Sequence, residues 1–189
     1  MILIIGLPKS GTTSFTELFL NAGYKAAHWK INDGYVGKII QRNKKNDEPL
    51  LRGLKKFDCI TQMDVCIDHD HAYWPQVSDY KDLYCQNPDA IFILNKRDPE
   101  KLLSSFKRWN NYDQRLFTFN PELIEDKTDA GFIQFVNNHY NTIENFFSVK
   151  PKAKFITFDI EKDKIEKLEK YIDLKGQKVL PRCNVNTNV

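Results

Sequence analysis

An apolar run that breaks into a glycine-bounded loop constrains this chain more than any other feature. Met1-Ile-Leu-Ile-Ile5 is followed by Gly6-Leu7-Pro8-Lys9-Ser10-Gly11 and then by Thr12-Thr13-Ser14-Phe15. The run is too short and too β-branched for a helix, and it reads as a buried strand. Gly6 and Gly11 permit a turn tight enough to aim several backbone N–H groups inward. Thr12 and Thr13 open a helix whose unpaired N–H groups and positive dipole end attract an anion. The stretch is therefore a phosphate cradle.

The spacing of Gly6 and Gly11 matches the nucleotide-triphosphate loop G-x-x-x-x-G-K-[ST], but Thr12 occupies the lysine slot and the lysine lies inside the loop, at Lys9. A loop without the displaced lysine is a poor triphosphate binder. Pro8-Lys9-Ser10-Gly11-Thr12-Thr13 instead resembles the 5′-phosphosulfate loop of sulfotransferases that use 3′-phosphoadenosine 5′-phosphosulfate (PAPS).

The 189 residues suit one domain, residues 1–189, with a central sheet and helices on both faces. A net charge of +3, mixed in sign, argues against a nucleic-acid groove or an anionic membrane face. Cys59, Cys66, Cys85 and Cys183 show no C-x-x-C pair, so they read as reduced thiols. A strand that starts at the first residues leaves no room for a signal peptide, and no run approaches the ~18 apolar residues of a membrane span. The expectation is a soluble, cytoplasmic protein that lacks the membrane anchor of the Golgi sulfotransferases.

Along the chain, Thr12–Ala22 reads as a helix stopped by Gly23, Tyr24–Trp29 as a strand and Lys30–Gly34 as a loop at the sheet's carboxyl edge. A helix over Tyr35–Asn46 ends in a charge run, Leu50–Lys56 reads as a helical turn or two, and Phe57–Met63 as a strand with Asp64 at its end. Asp64, Asp68, His69, Asp70 and His71 offer oxygen and nitrogen ligands, yet no remote partner of metal-site spacing accompanies them. That segment reads better as a polar loop roofing an acceptor pocket. Ser78–Gln86 is a helix and Ala90–Leu94 a strand; Asp113–Lys127 has no clean period. Thr128–Val149 is an amphipathic helix in which His139 has no motif partner; Lys154–Phe158 is the last strand and Glu161–Leu174 the last helix.

Arg97-Asp98-Pro99 ends the fourth strand, Asp98 caps the next helix, and Ser105 follows Arg97 by eight residues. This resembles the sulfotransferase motif R-[DN]-P-x-x-x-x-x-S, whose arginine and serine bind the 3′-phosphate. A guanidinium fork and a hydroxyl near a helix start suit a phosphate monoester. The tail Leu180-Pro-Arg-Cys-Asn-Val-Asn186 is similar to the closing segment of small sulfotransferases. Cytosolic members follow the two threonines with an adenine-stacking tryptophan; Ser14 stands here, so adenine must be held from elsewhere.

The resemblance implies a three-layer α/β/α P-loop fold with a mostly parallel five-stranded sheet, strand one near its centre. It implies a PAPS-dependent sulfotransferase acting on a hydroxyl of a small molecule or glycan, with no metal required and adenosine 3′,5′-bisphosphate as product. Pro8, Lys9, Ser10, Gly11, Thr12 and Thr13 would hold the 5′ end and Arg97 and Ser105 the 3′-phosphate. Lys9 would also stabilise the leaving oxygen. The family offers two places for a base, the ends of strands two and three, here His28 and Asp64. The imidazole matches neutral pH better, with Asp64 orienting it. A kinase-like P-loop phosphotransferase or a non-catalytic nucleotide-binding module are the alternatives.

Overall fold

The computed structural model describes residues 1–183. Asn184 to Asn186 of the tail resemblance lie outside the described residues. In chain order the elements are β1 (Ile2–Ile4), α1 (Thr12–Asn21), β2 (Ala26–His28), β3 (Lys30–Ile31), β4 (Gly34–Tyr35), α2 (Val36–Lys45), β5 (Cys59–Gln62), β6 (Val65–Cys66) and β7 (Ala72–Tyr73). There follow α3 (Pro75–Ser78), α4 (Tyr80–Gln86), β8 (Ile91–Lys96), α5 (Pro99–Arg108), α6 (Tyr112–Phe119), α7 (Asp129–Ser148), β9 (Lys154–Asp159) and a 3₁₀ helix, Ile165–Lys170.

Five strands form one sheet in the order β2-β5-β1-β8-β9, and every pairing in it is parallel. The α/β layering follows from the period-2 alternation of β1. Ile2 and Ile4 face Phe15, Leu18 and Phe19 of α1 and Ile165 and Leu168 of the 3₁₀ helix. Leu3 and Ile5 face the larger core built with α2, α5 and α7. Strand one is thus central, flanked by β5 and β8. Its following loop opens where connections leave to opposite sides of the sheet, the position at which parallel sheets bind ligands.

Several local expectations need correction. Lys30–Gly34 is not plain loop: β3 and β4 form a two-stranded antiparallel ribbon. Leu50–Lys56 is a series of turns, broken by Gly53 at φ 81°. Tyr112–Phe119 is helical because Tyr112, Leu116 and Phe117 bury together, a pattern too short to show a period. Glu161–Leu174 contains only the 3₁₀ helix, whose Ile165 and Leu168 repeat at the three-residue spacing of that tighter coil. No helix among the described residues is long and apolar enough to cross a membrane.

The loop after β1 is held by one buried side chain. Asn95, near the end of β8, accepts from the Gly6 N–H at 2.9 Å and donates through Nδ2 to the Ser10 carbonyl at 2.7 Å and its hydroxyl at 2.8 Å. A Cβ on Gly6 would stand 2.2 Å from both the carbonyl and the Oδ1 of Asn95, so only glycine fits there. Asn95→Ala should lower unfolding stability by roughly 1–3 kcal/mol for each buried group left unpaired. Urea midpoints equal to wild type would mean that the loop keeps its shape without this brace.

Candidate active site

A cleft of about 900 Å³ opens over the carboxyl ends of β1, β2, β5 and β8. Its lining includes Lys9, Gly11, Thr12, Thr13 and Ser14 from the loop and the start of α1, and Arg97, Lys101, Ser105, Arg108 and Trp109 from the segment that runs from the end of β8 through α5. His28, Trp29 and Gln62 line it further, with Ile160, Glu161 and Leu180 to Cys183. Lys9 from the loop, Arg97 after β8, Lys101 and Arg108 from α5 and Arg182 line it against the single carboxylate of Glu161, so the cleft is built for an anion.

The loop reaches this cleft through unusual backbone. Lys9 has φ 65°, left-handed for a non-glycine residue, and Gly11 has φ 83°. Gly11 is the N-cap of α1 and no side chain caps that helix. The Lys9 carbonyl, turned by the left-handed backbone, accepts from Arg97 Nη1 at 2.9 Å. The Lys9 ammonium lies 4.6 Å from the centre of the Trp109 ring, a cation–π contact. Burial first, and then the Arg97 and Arg108 charges, push the Lys9 pKa down. Such an ammonium gains most from a nearby anion.

Arg97 is fixed from several sides. Its backbone N–H donates to the Tyr140 hydroxyl at 3.1 Å, and its Nε is buried without a hydrogen-bond partner. An orphaned guanidinium N–H in a basic cleft fits a phosphate oxygen. Ser105, buried at 5 % exposure, lines the same cleft. Asp98 caps α5 as its sequence implies, accepting from the N–H groups of Glu100 and Lys101.

At the other end, the pairing of β2 with β5 shifts register between Ala27 and His28, so that His28 lies opposite Gln62 and Thr61 is passed over. The shift lets Thr61 Oγ1 meet His28 Nδ1 at 3.1 Å. Thr61 Oγ1 donates to the Ala27 carbonyl at 3.2 Å, with the Thr16 hydroxyl also 2.7 Å away, so its one proton is engaged away from the imidazole. The lone pair left on Thr61 accepts from His28 Nδ1–H, and Nε2 becomes the proton-accepting nitrogen. Burial pushes the imidazole down to about 4, so the ring is neutral at pH 7.

Asp64 is elsewhere. It is 1 % exposed and lies behind the cleft wall, where Tyr112 OH at 3.0 Å and Gln62 Nε2 at 3.3 Å donate to Oδ2 and Gln76 Nε2 at 3.3 Å donates to Oδ1. Burial raises it to about 6 against these hydrogen bonds, which pull it down. The expected orientation of His28 by Asp64 is therefore corrected: Thr61 holds the ring, and Asp64 braces Gln62. Gln62 in turn accepts from Thr12 Oγ1 at 3.1 Å.

Lys9, Gly11, Thr12, Thr13, His28, Arg97 and Ser105 are thus brought to one cleft, whereas Pro8, Ser10 and Asp64 are not on its wall. The Ser10 hydroxyl donates to the Leu7 carbonyl and accepts from Asn95, which leaves that side chain in the loop's support. Sequence reasoning missed Gln62, Trp109, Lys101 and Asn95. Only Asn95 carried a signal, as a polar residue at the end of an apolar strand. Where the family's tryptophan would stand, the Ser14 hydroxyl accepts from the Cys183 N–H at 3.4 Å, which closes that wall with the tail. The segment with His69 and His71 is remote from the cleft lining; His71 Nδ1 pairs with Asp68 at 2.8 Å and His69 packs on Phe119.

No curated protein matches the chain. A family model described as a sulfotransferase domain matches residues 1–173, which takes in the phosphate loop, both strand ends and the Arg97 to Ser105 wall. The chain belongs to the sulfotransferase family.

Proposed function

We propose that this sulfotransferase takes its sulfuryl group from PAPS and passes it to a hydroxyl of a small molecule or glycan. One observation carries the reading: Lys9 with Gly11 to Thr13, and Arg97 with Ser105, line a single cleft. A donor that carries both a phosphosulfate and a 3′-phosphate matches a cleft that offers two groups of anion-binding residues. The orphaned Arg97 Nε supports the 3′ assignment. The whole chain would act as one sulfotransferase domain. Its unpaired thiols suit the cytoplasm.

In this mechanism His28 Nε2 takes the acceptor's hydroxyl proton. The acceptor oxygen then forms its bond to sulfur as the bond from sulfur to the 5′-phosphate oxygen breaks, in line. The negative charge that grows on the leaving oxygen falls to Lys9 and to the N–H groups opening α1, and adenosine 3′,5′-bisphosphate departs. Lys9 supplies the charge stabilisation without a metal. Asp64 acts at one remove, through Gln62 and Thr12, on the loop's position.

Adenosine 3′,5′-bisphosphate at ~100 times its Kd should add about 2.7 kcal/mol of stability. That corresponds to roughly 5–10 °C in melting temperature for a chain of this size. The shift should persist in EDTA, and 5′-AMP should give much less; equal shifts would remove Arg97 and Ser105 from the 3′-phosphate. Lys9→Ala should cut kcat by about 10²- to 10³-fold. A raised KM with kcat intact would make Lys9 an anchor only.

The base is tested by pH. A base must be unprotonated, so kcat/KM falls below its pKa. If His28 serves, the acid limb lies near 4; if Asp64 serves, it lies near 6. We expect the limb near 4, with His28→Ala losing ~10²- to 10⁴-fold in kcat while still binding the bisphosphate.

A further inference from the structure

Among the lining side chains the one carboxylate is Glu161, and it sits where a phosphate is wanted. Its Oε2 accepts from Lys101 Nζ at 2.9 Å, and its Oε1 is 3.9 Å from Arg97 Nε. The second distance is that of an ion pair without a hydrogen bond, and Arg97 Nε has no other partner. Arg97 Nη1 is already committed to the Lys9 carbonyl. The Nε edge of Arg97 is thus the edge that Glu161 faces.

The backbone keeps Glu161 there. Its N–H donates to Asp159 Oδ1 at 2.9 Å, the Ile160 N–H donates to the Lys96 carbonyl at 3.0 Å, and the Asp159 N–H donates to Asp163 Oδ2 at 2.8 Å. Only side-chain torsions can move the carboxylate aside, so it stays at high local concentration beside the two cations.

We propose that Glu161 is a built-in competitor for the 3′-phosphate, which occupies Arg97 and Lys101 when the nucleotide is absent and repels it when present. The inference rests on the reading of this wall as the 3′-phosphate subsite. It makes Glu161 a determinant of nucleotide release: the carboxylate weakens the grip on the product, and release often limits turnover.

The test is the affinity and dissociation rate of adenosine 3′,5′-bisphosphate, with 5′-AMP as control, for wild type, Glu161→Gln and Glu161→Ala. Because like charges brought together cost affinity, both variants should bind the bisphosphate about tenfold tighter or more and release it more slowly. Binding of 5′-AMP should stay as in wild type. Unchanged or weaker bisphosphate binding in both variants would overturn the proposal, and weaker binding would mean that the carboxylate holds Arg97 in position. A wild type that binds both nucleotides alike would overturn the 3′-phosphate reading itself, and this inference with it.

Discussion

The carboxamide of Asn95 is the contact on which the cleft depends. A loop with a lysine in left-handed backbone is not a conformation that a free chain keeps, since such residues cost energy unless their surroundings hold them. Asn95 supplies those surroundings from the neighbouring strand, accepting at the loop's first residue and donating at its fifth. A carboxamide carries both a donor and an acceptor at one end, and the loop needs both. The absence of a Cβ at Gly6 is the other half of the same fit, because it lets β8 approach the loop to within hydrogen-bond distance.

Electrostatics in the cleft are arranged around incomplete pairing. Lys9 rests on an aromatic face instead of a carboxylate, and Arg97 keeps a buried N–H without a hydrogen-bond acceptor. Each arrangement leaves the cation solvated less well than in water and so improves the relative standing of an incoming anion. Trp109 touches both ends of the site: it carries the Lys9 ammonium and meets Trp29, the neighbour of His28, at 6.5 Å. The aromatic side chains thus form a continuous run from the Lys9 side of the cleft to the His28 side.

The layering and most of the residues gathered in the cleft were legible because their signals are local. A β-branched pentapeptide, two glycines and two threonines lie within fifteen residues, and Arg97, Asp98 and Ser105 lie on one helix start. What was not legible depends on register between strands. Nothing in Ala26-Ala27-His28 announces that β5 skips a residue opposite it, yet that skip gives His28 to Thr61 instead of Asp64. The burial of Asp64 was hidden for a related reason: its three donors come from β5, α3 and α6, and two of these elements are short segments with little period of their own. The 3₁₀ helix shows the same limit, since Ile165 and Leu168 satisfy a three-residue and a 3.6-residue repeat equally well.

The hydrogen bond from Arg97 to the Lys9 carbonyl ties two parts of the cleft together. It is a strut between the loop after β1 and the side chain that follows β8. The strut is already formed, so a displacement of the loop at Lys9 is passed to the Arg97 guanidinium and the reverse. A contact that orders either of the two therefore lowers the cost of ordering the other.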